Sequence, residues 1–301
     1  MANLTIKQLR YFDALAQHGH FGRAADACAI SQPALSMRIK ELEEELGTPL
    51  VERGPRQLRL TPFGEDFVAK AREVLRGVDE LGDLARAAKG RLAGRLRIGV
   101  IPTIAPYLLP RLAPEAHRRY PELRLMLREG QTHELVEQLH EHKLDLLLLA
   151  LDVDTGGAEE HFLFDDPFVL AVPEDHPFAK RKSVKKREID QLELLLLEDG
   201  HCLRDHAFSA CSLDPSKEMD DFRATSMNTL VHMVANGIGA TLLPGMAVTG
   251  ELRKLEGMRI LPFSDSHPGR RIGLAWRRST PRKEEFHLMA ELLLLVADGI
   301  Y

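Results

Sequence analysis

The sequence predicts an α/β protein with an all-α head: a winged helix-turn-helix, then a long linker helix, then a body of two small α/β subdomains. Three observations predict it. Residues 4–46 carry apolar positions at helical spacing, broken at Gly19 and at the Ile30-Ser31 step. Residues 63–89 contain no proline and repeat apolar positions three and four apart. From Arg95 onward, short apolar runs alternate with helical patterns, the signature of strands covered by helices. A length of 301 residues suits about two domains. With 44% hydrophobic and 28% charged residues the chain reads as folded rather than disordered. The longest apolar runs, 146–151 and 292–297, fall far short of the roughly 18 residues a membrane span needs, and no signal-like apolar region opens the chain. A cytoplasmic location is expected. Net charge is −5, from 40 Lys and Arg against 45 Asp and Glu, which leans away from a protein that coats nucleic acid. Three cysteines are too few for a disulfide scaffold.

The first helix, within 4–18, presents Leu9, Phe12, Leu15 and Ala16 on one side, and Gly19 stands where a helix end favours glycine. A second fits 22–29, with Cys28 among alanines and expected to be a small buried hydrophobe. Ser31 is placed to cap the third helix, with Pro33 in its first turn. Leu35, Ile39, Leu42 and Leu46 give that helix its apolar face. The short step between helices two and three makes a helix-turn-helix. Residues 50–60 then form two short arms about Gly54-Pro55, with Arg53, Arg56 and Arg59 around it, which reads as a basic wing. Residues 1–62 hold eight basic and seven acidic side chains, so segregation matters more than the sum. The bases flank the start of helix three and the wing; Glu41 to Glu45 lie farther along. Arg and Lys there would grip phosphates, while Gln32, Ser36 and Arg38 could read base edges.

Phe21-Gly22-Arg23-Ala24-Ala25, Ser31-Gln32-Pro33-Ala34-Leu35-Ser36, Leu50-Val51-Glu52-Arg53 and Leu60-Thr61-Pro62-Phe63-Gly64 resemble the N-terminal signature of LysR-type transcriptional regulators. The resemblance implies DNA contacts from Ser31, Gln32, Pro33, Ser36, Arg38, Lys40 and Arg53. It also implies a body similar to a periplasmic binding protein, with the head at 1–62, the linker at 63–90 and the regulatory domain at 91–301. Subdomain I would take about 95–165 and 268–301, and subdomain II about 166–267.

In the linker, Phe67, Ala71, Val74, Val78, Leu81, Ala85 and Ala88 form a heptad seam, which predicts a two-stranded coiled coil. A dimer would offer two recognition helices to one face of a duplex, so a near-palindromic operator is expected. In the body, strands at 96–101, 123–127, 144–150, 168–172 and 272–275, with intervening helices, predict a mostly parallel sheet. Ligands in such folds gather at strand ends and helix N-termini, which singles out Thr103 and Thr132, the latter also readable as a helix cap. Asn236-Gly237-Ile238-Gly239 lacks the spacing of a dinucleotide loop and reads as a turn; no cofactor or metal is expected.

The segment 197–211 carries the chemistry. Cys202 has His201 beside it, Arg204 two residues on and a helix start beneath it, all of which lower a thiol pKa. Cys211 follows nine residues later. If the intervening residues are helical, the thiols stand about 13.5 Å apart along the axis, beyond the roughly 7 Å between Cα atoms that a disulfide allows. Three readings stand side by side: a redox pair that trades helix for cross-link, a structural pair, or a metal site with His206. Glu198 to Asp205 with Cys211, together with Ile101-Pro102-Thr103, Gln131-Thr132-His133 and Phe222-Arg223-Ala224-Thr225-Ser226, resembles the hydrogen-peroxide sensors of the LysR family. That resemblance implies Cys202 as peroxidatic and Cys211 as resolving cysteine, with Thr103, Thr132, His201, Arg204, Asp205 and Arg270 supporting the peroxide site. It further implies a non-enzymatic homotetramer that activates transcription under oxidative stress through RNA polymerase. His206 departs from the glutamine such sensors carry. The alternative is a regulator of the same family that answers a small organic effector, with inert cysteines.

Overall fold

The computed structural model describes residues 4–53, 58–87, 92–198, 200, 202–211, 218–248, 252 and 255–300, and divides into two compact units, Met1–Ala85 and Arg86–Tyr301. In the first unit, α1 (Ile6–His18), α2 (Phe21–Ala27) and α3 (Gln32–Leu46) bury Phe12, Leu15, Ala24, Leu35, Ile39 and Leu42 in one core. Local chemistry sets each boundary. Thr5 and Gln8 cap α1 reciprocally, and Gly19 closes it in the left-handed conformation at φ 59°. His20 Nδ1 accepts the Gly22 and Arg23 N–H groups at the start of α2. Ser31 Oγ accepts from the Ala34 N–H, with Pro33 in the first turn of α3, as its sequence predicts. Cys28 is not inside α2; it is the residue just past the helix and only half-buried, because the helix ends at Ala27.

Strands β1 (Val51–Arg53) and β2 (Leu58–Leu60) form an antiparallel ribbon. The Glu43 carboxylate accepts the N–H groups of Leu50 and Val51 and so fastens the ribbon to α3. The tip of the expected wing, with Gly54, Pro55 and Arg56, lies outside the described residues. Thr61 Oγ1 accepts from the Gly64 N–H and starts α4 (Pro62–Ala87). Its first turns belong to the head: Phe67, Val68 and Ala71 pack on the core, the Phe12 and Phe67 rings lie 5.7 Å apart, and Arg72 Nε donates to Asp13 at 2.7 Å. Of the expected seam, Phe67 is thus half-buried and Ala71 buried within the head itself. Among its described side chains, Phe63, Val74 and Leu81, 40%, 52% and 68% exposed, are the large apolar ones the helix leaves uncovered.

The second unit is built on a seven-stranded sheet ordered β10-β6-β11-β5-β3-β4, with β9 beside β6. In chain order it comprises β3 (Gly94–Val100), α5 (Ala105–Arg119), β4 (Leu123–Glu129), α6 (Thr132–His140), β5 (Leu146–Ala150) and β6 (Glu159–Pro173). There follow β7 (Leu194–Leu197), α7 (Cys202–Cys211), β8 (Glu218–Ala224), α8 (Met227–Ala235), β9 (Thr241–Pro244), β10 (Met258–Pro262), β11 (Gly269–Trp276) and α9 (Lys283–Ala297). Only β3 with β4 and β5, and β7 with β8, are parallel; β6, β9, β10 and β11 pair antiparallel. The mostly parallel sheet of the sequence reading is thus corrected, and the reason is topological. The chain leaves the first core along β6 and returns along β11, and an out-and-back pair runs antiparallel. Two cores result. Leu96, Ile98, Leu147, Trp276 and Phe286 belong to the first, and Phe168, Leu170, Leu195, Val231 and Leu242 to the second. The 15-residue β6 serves both, pairing β11 through Pro167 and β9 and β10 beyond it. Among the described residues no helix is long and apolar enough to cross a membrane. The turn after α8 takes positive φ at Gly237 and Gly239.

Candidate functional site

Helix α7 begins at Cys202 and ends at Cys211. Nine residues at 3.6 per turn make two and a half turns, so the two thiols stand at opposite ends and on opposite sides of the helix, about 13.5 Å apart along it. Packing follows that geometry. Cys202 is buried with the first core, whereas Leu203, Ala207 and Cys211, each four residues apart, are buried with the second. Both thiols are free. A disulfide requires unwinding α7, and so does a metal ion shared by Cys202, His206 and Cys211, which sets the metal reading aside.

Cys202 opens onto a crevice lined by Ile101, Pro102, Thr103, Gln131, Thr132 and Gly200. Thr103 follows β3 and is fixed by Arg270 of β11: Nη1 donates to the Thr103 hydroxyl at 2.6 Å and Nη2 to its carbonyl at 3.0 Å. Arg270 Nε donates to Asp166 at 3.0 Å, and the other Asp166 oxygen accepts the Met246 N–H at 2.9 Å. The Arg270 and Asp166 side chains are fully buried, so the pair is both desolvated and well satisfied. Because Thr103 Oγ1 already accepts from Arg270, its own proton is oriented to donate onward. Thr132 is the first residue of α6, not its cap; Gln131 takes the cap position. Its buried hydroxyl has no hydrogen-bond partner among the described residues, and its nearness to the Cys202 thiol acts to lower that thiol's pKa.

The electrostatics correct one sequence expectation. Burial pushes the Cys202 pKa up, more strongly than the Thr132 hydroxyl and the Arg270 charge pull it down; Asp205 adds to the rise. The helix start favours a thiolate, but desolvation wins. Burial likewise pushes Cys211 up to about 11. Arg204 lies over the Phe208 ring at 5.1 Å, and Asp205, 4.0 Å from Arg204, is exposed. Neither belongs to the crevice lining. His201 lies outside the described residues.

Asp166, which holds Arg270, escapes the sequence reading, and Gln131 and Gly200 of the crevice figure there only within the segments that carry the resemblance. The paired acids Asp165-Asp166 read as polar surface until β11 lies beside them; only their burial shows that they need a basic partner. Gly200 sits at φ 94°, and a Cβ there would meet the Gln131 side chain at 2.5 Å. Gly200→Ala is therefore expected to cost on the order of 1–3 kcal/mol, read as a lower urea midpoint; an unchanged midpoint would mean the backbone relaxes at no cost.

On the head, Gln32 and Pro33 are exposed in the first turn of α3, and Ser36 is half-buried. Arg38 pairs with Glu41 at 2.8 Å and Lys40 with Glu44 at 3.5 Å. Exposed pairs of this kind are worth little and can be exchanged for phosphate. Arg53 ends β1.

Comparison with known proteins adds the family. Residues 6–65 match the profile described as "Bacterial regulatory helix-turn-helix protein, lysR family", and residues 89–297 match "LysR substrate binding domain". The chain belongs to the LysR family. This LysR-family chain is 45% identical over 296 residues to the "DNA-binding transcriptional dual regulator OxyR" of Escherichia coli K12, covering 98% of its own length and 97% of the relative's. It resembles full-length OxyR from Pseudomonas aeruginosa, a cysteine-to-aspartate variant, at 38% identity and TM-score 0.77, covering 98% and 96% of the two chains. It also resembles a cysteine-to-serine variant of Corynebacterium glutamicum OxyR with hydrogen peroxide bound, at 36% identity and TM-score 0.70, covering 98% and 93%. As a LysR-family regulator, the chain places its predicted helix-turn-helix and its effector-facing body on the two matched segments.

Proposed function

We propose that this LysR-family regulator senses hydrogen peroxide through Cys202 and Cys211 and converts the reaction into a change of DNA contact. The observation that carries this reading is the lone thiol set against two hydroxyl donors and a buried guanidinium, with a second thiol at the far end of the same helix. The Cys202 thiolate attacks one peroxide oxygen; the O–O bond breaks, and the departing hydroxide takes a proton to become water. Thr103, with its proton aimed outward by Arg270, and Thr132 are suited to hold the two peroxide oxygens. His201, Arg204 and Asp205 would flank the site. The resulting sulfenic acid is then attacked by Cys211, which releases water and forms the disulfide. One equivalent of peroxide is consumed per switch, so the protein is not an enzyme in the turnover sense.

In this reading the protein is cytoplasmic, the head at 1–62 binds near-palindromic DNA through Ser31, Gln32, Pro33, Ser36, Arg38, Lys40 and Arg53, the linker at 63–90 dimerises, and dimers pair into a tetramer that recruits RNA polymerase. Val74 and Leu81 supply the exposed apolar face that such a linker needs. Footprinting of promoter DNA with reduced and peroxide-treated protein tests the whole; identical footprints, or no intramolecular disulfide by mass spectrometry, would overturn it. Replacing Arg53 by Ala is expected to weaken DNA binding and reduce its salt slope by about one; an unchanged slope removes that residue from the contact set.

A second reading has its own support. A cleft lined by Pro102, Tyr107, Ser226, Asn228 and His232 adjoins Thr103 and could hold a small organic effector. A footprint altered by such a molecule, with both cysteines replaced by serine, would favour it.

A further inference from the structure

His206 occupies the same face of α7 as Cys202, four residues along, and is 8% exposed. Its Nε2 lies 2.8 Å from the carbonyl of Leu151, the residue after β5. A carbonyl only accepts, so Nε2 carries the proton, and in the neutral ring Nδ1 is a lone pair. That atom is buried without a partner, on the side of the Cys202 carbonyl one turn back. The ring thus ties the start of the switch helix to the first core by one bond while keeping a second bonding position unused. We propose that His206 latches the start of α7 to the end of β5 in the dithiol state and thereby retards closure of the Cys202–Cys211 disulfide.

The latch rests on the peroxide-sensor reading above and adds its regulation. For Cys211 to reach the Cys202 sulfenic acid, α7 must unwind and the imidazole must leave Leu151. The S–O bond then breaks as the S–S bond forms, and the hydroxyl departs as water with the Cys211 thiol proton; hydrogen peroxide is the oxidant. Protonation of Nδ1 would turn two facing acceptors into a donor and an acceptor, giving the latch a second bond. The charges facing the ring are the Arg270 guanidinium from β11, which opposes that protonation, and the Asp152 carboxylate beyond β5, which favours it. From α7 itself comes the Cys202 thiol. The 3-10 stretch Lys186–Gln191 directs Lys186 and Asp190 at Cys211 instead, and β7 contributes only leucines. Burial is the larger cause that lowers the ring's pKa and Arg270 adds to it, so the ring is neutral near pH 7 and the second bond forms only in acid.

The test uses the full-length chain, treated with one equivalent of hydrogen peroxide and quenched over time. Mass spectrometry then follows disulfide per sulfenic acid already formed. His206→Ala should close about tenfold faster than wild type at pH 7.5, the effect of removing one buried bond that opening must break. His206→Gln keeps a donor for Leu151 but cannot titrate, so the ratio of wild-type to variant closure should fall as pH drops from 7.5 to 5. The falling thiolate fraction of Cys211 is common to both and cancels. Should the alanine variant not fold, the glutamine ratio decides alone. Equal closure in the alanine variant, or a flat ratio, overturns the latch while a wild-type disulfide keeps the sensor reading. A wild-type protein that forms no disulfide overturns both.

Discussion

Replacing Cys202 by Ser is expected to abolish both the peroxide-dependent disulfide and the change in the DNA footprint, whereas replacing Cys211 by Ser should stop the reaction at a sulfenic acid on Cys202. The two thiols are equal in chemistry but not in placement. Cys202 alone shares a crevice with Thr103 and Thr132, and Cys211 is sealed in the second core with its pKa at about 11. Trapping with a sulfenic-acid reagent should therefore label Cys202 first; preferential labelling of Cys211 would reverse the assignment. The pH dependence has a definite sign. The thiolate is the nucleophile and burial places the Cys202 pKa above its ordinary value, so the protonated thiol dominates at neutral pH. Oxidation should accelerate with rising pH, by close to tenfold per unit between pH 6 and 8 at fixed peroxide. A rate that levels off below pH 7 would show a thiolate already formed in the resting state.

Arg270→Ala should be among the most destabilising single changes in the regulatory body. It removes a guanidinium that donates to Asp166 and to both oxygens of Thr103, and it leaves the Asp166 carboxylate, which also accepts the Met246 N–H, buried without its cation. Breaking a buried ion pair from one side costs about 3–5 kcal/mol. Urea denaturation of the reduced protein would reveal this as a lower midpoint at unchanged slope. Arg270→Lys should recover only part of the loss, because one ammonium cannot reproduce three directed contacts. A wild-type midpoint for Arg270→Ala would mean that the pair contributes nothing to stability.

What the sequence discloses divides along the range of the interaction. Gly19, Ser31 and Pro33 act on backbone groups within four residues, and their roles in the head are readable without coordinates. The α7 helix and the separation of its thiols are readable for the same reason. Arg270 and Asp166 lie 104 residues apart, and nothing local in either segment announces the other. Sequence misleads on the thiol pKa because it displays chain neighbours, His201 and Arg204, but not the burial that desolvates Cys202. Likewise only 168–172 of β6 reads as a strand; its first half, with Glu159, Glu160, Asp165 and Asp166, looks too polar until β11 is beside it. The linker pattern is ambiguous at Phe67, since a heptad spacing does not say whether a second chain or the helix's own domain covers a position, and Phe67 packs partly on the head's core.

Each end of α7 is held by a different hydrophobic core, and this has an evolutionary corollary. The threshold for switching is a difference between two packing energies, one for each helix end. A conservative exchange among the leucines of either core shifts such an energy by roughly 1 kcal/mol, enough for several-fold retuning. Lineages can therefore drift toward greater or lesser sensitivity without altering a single residue that meets the oxidant.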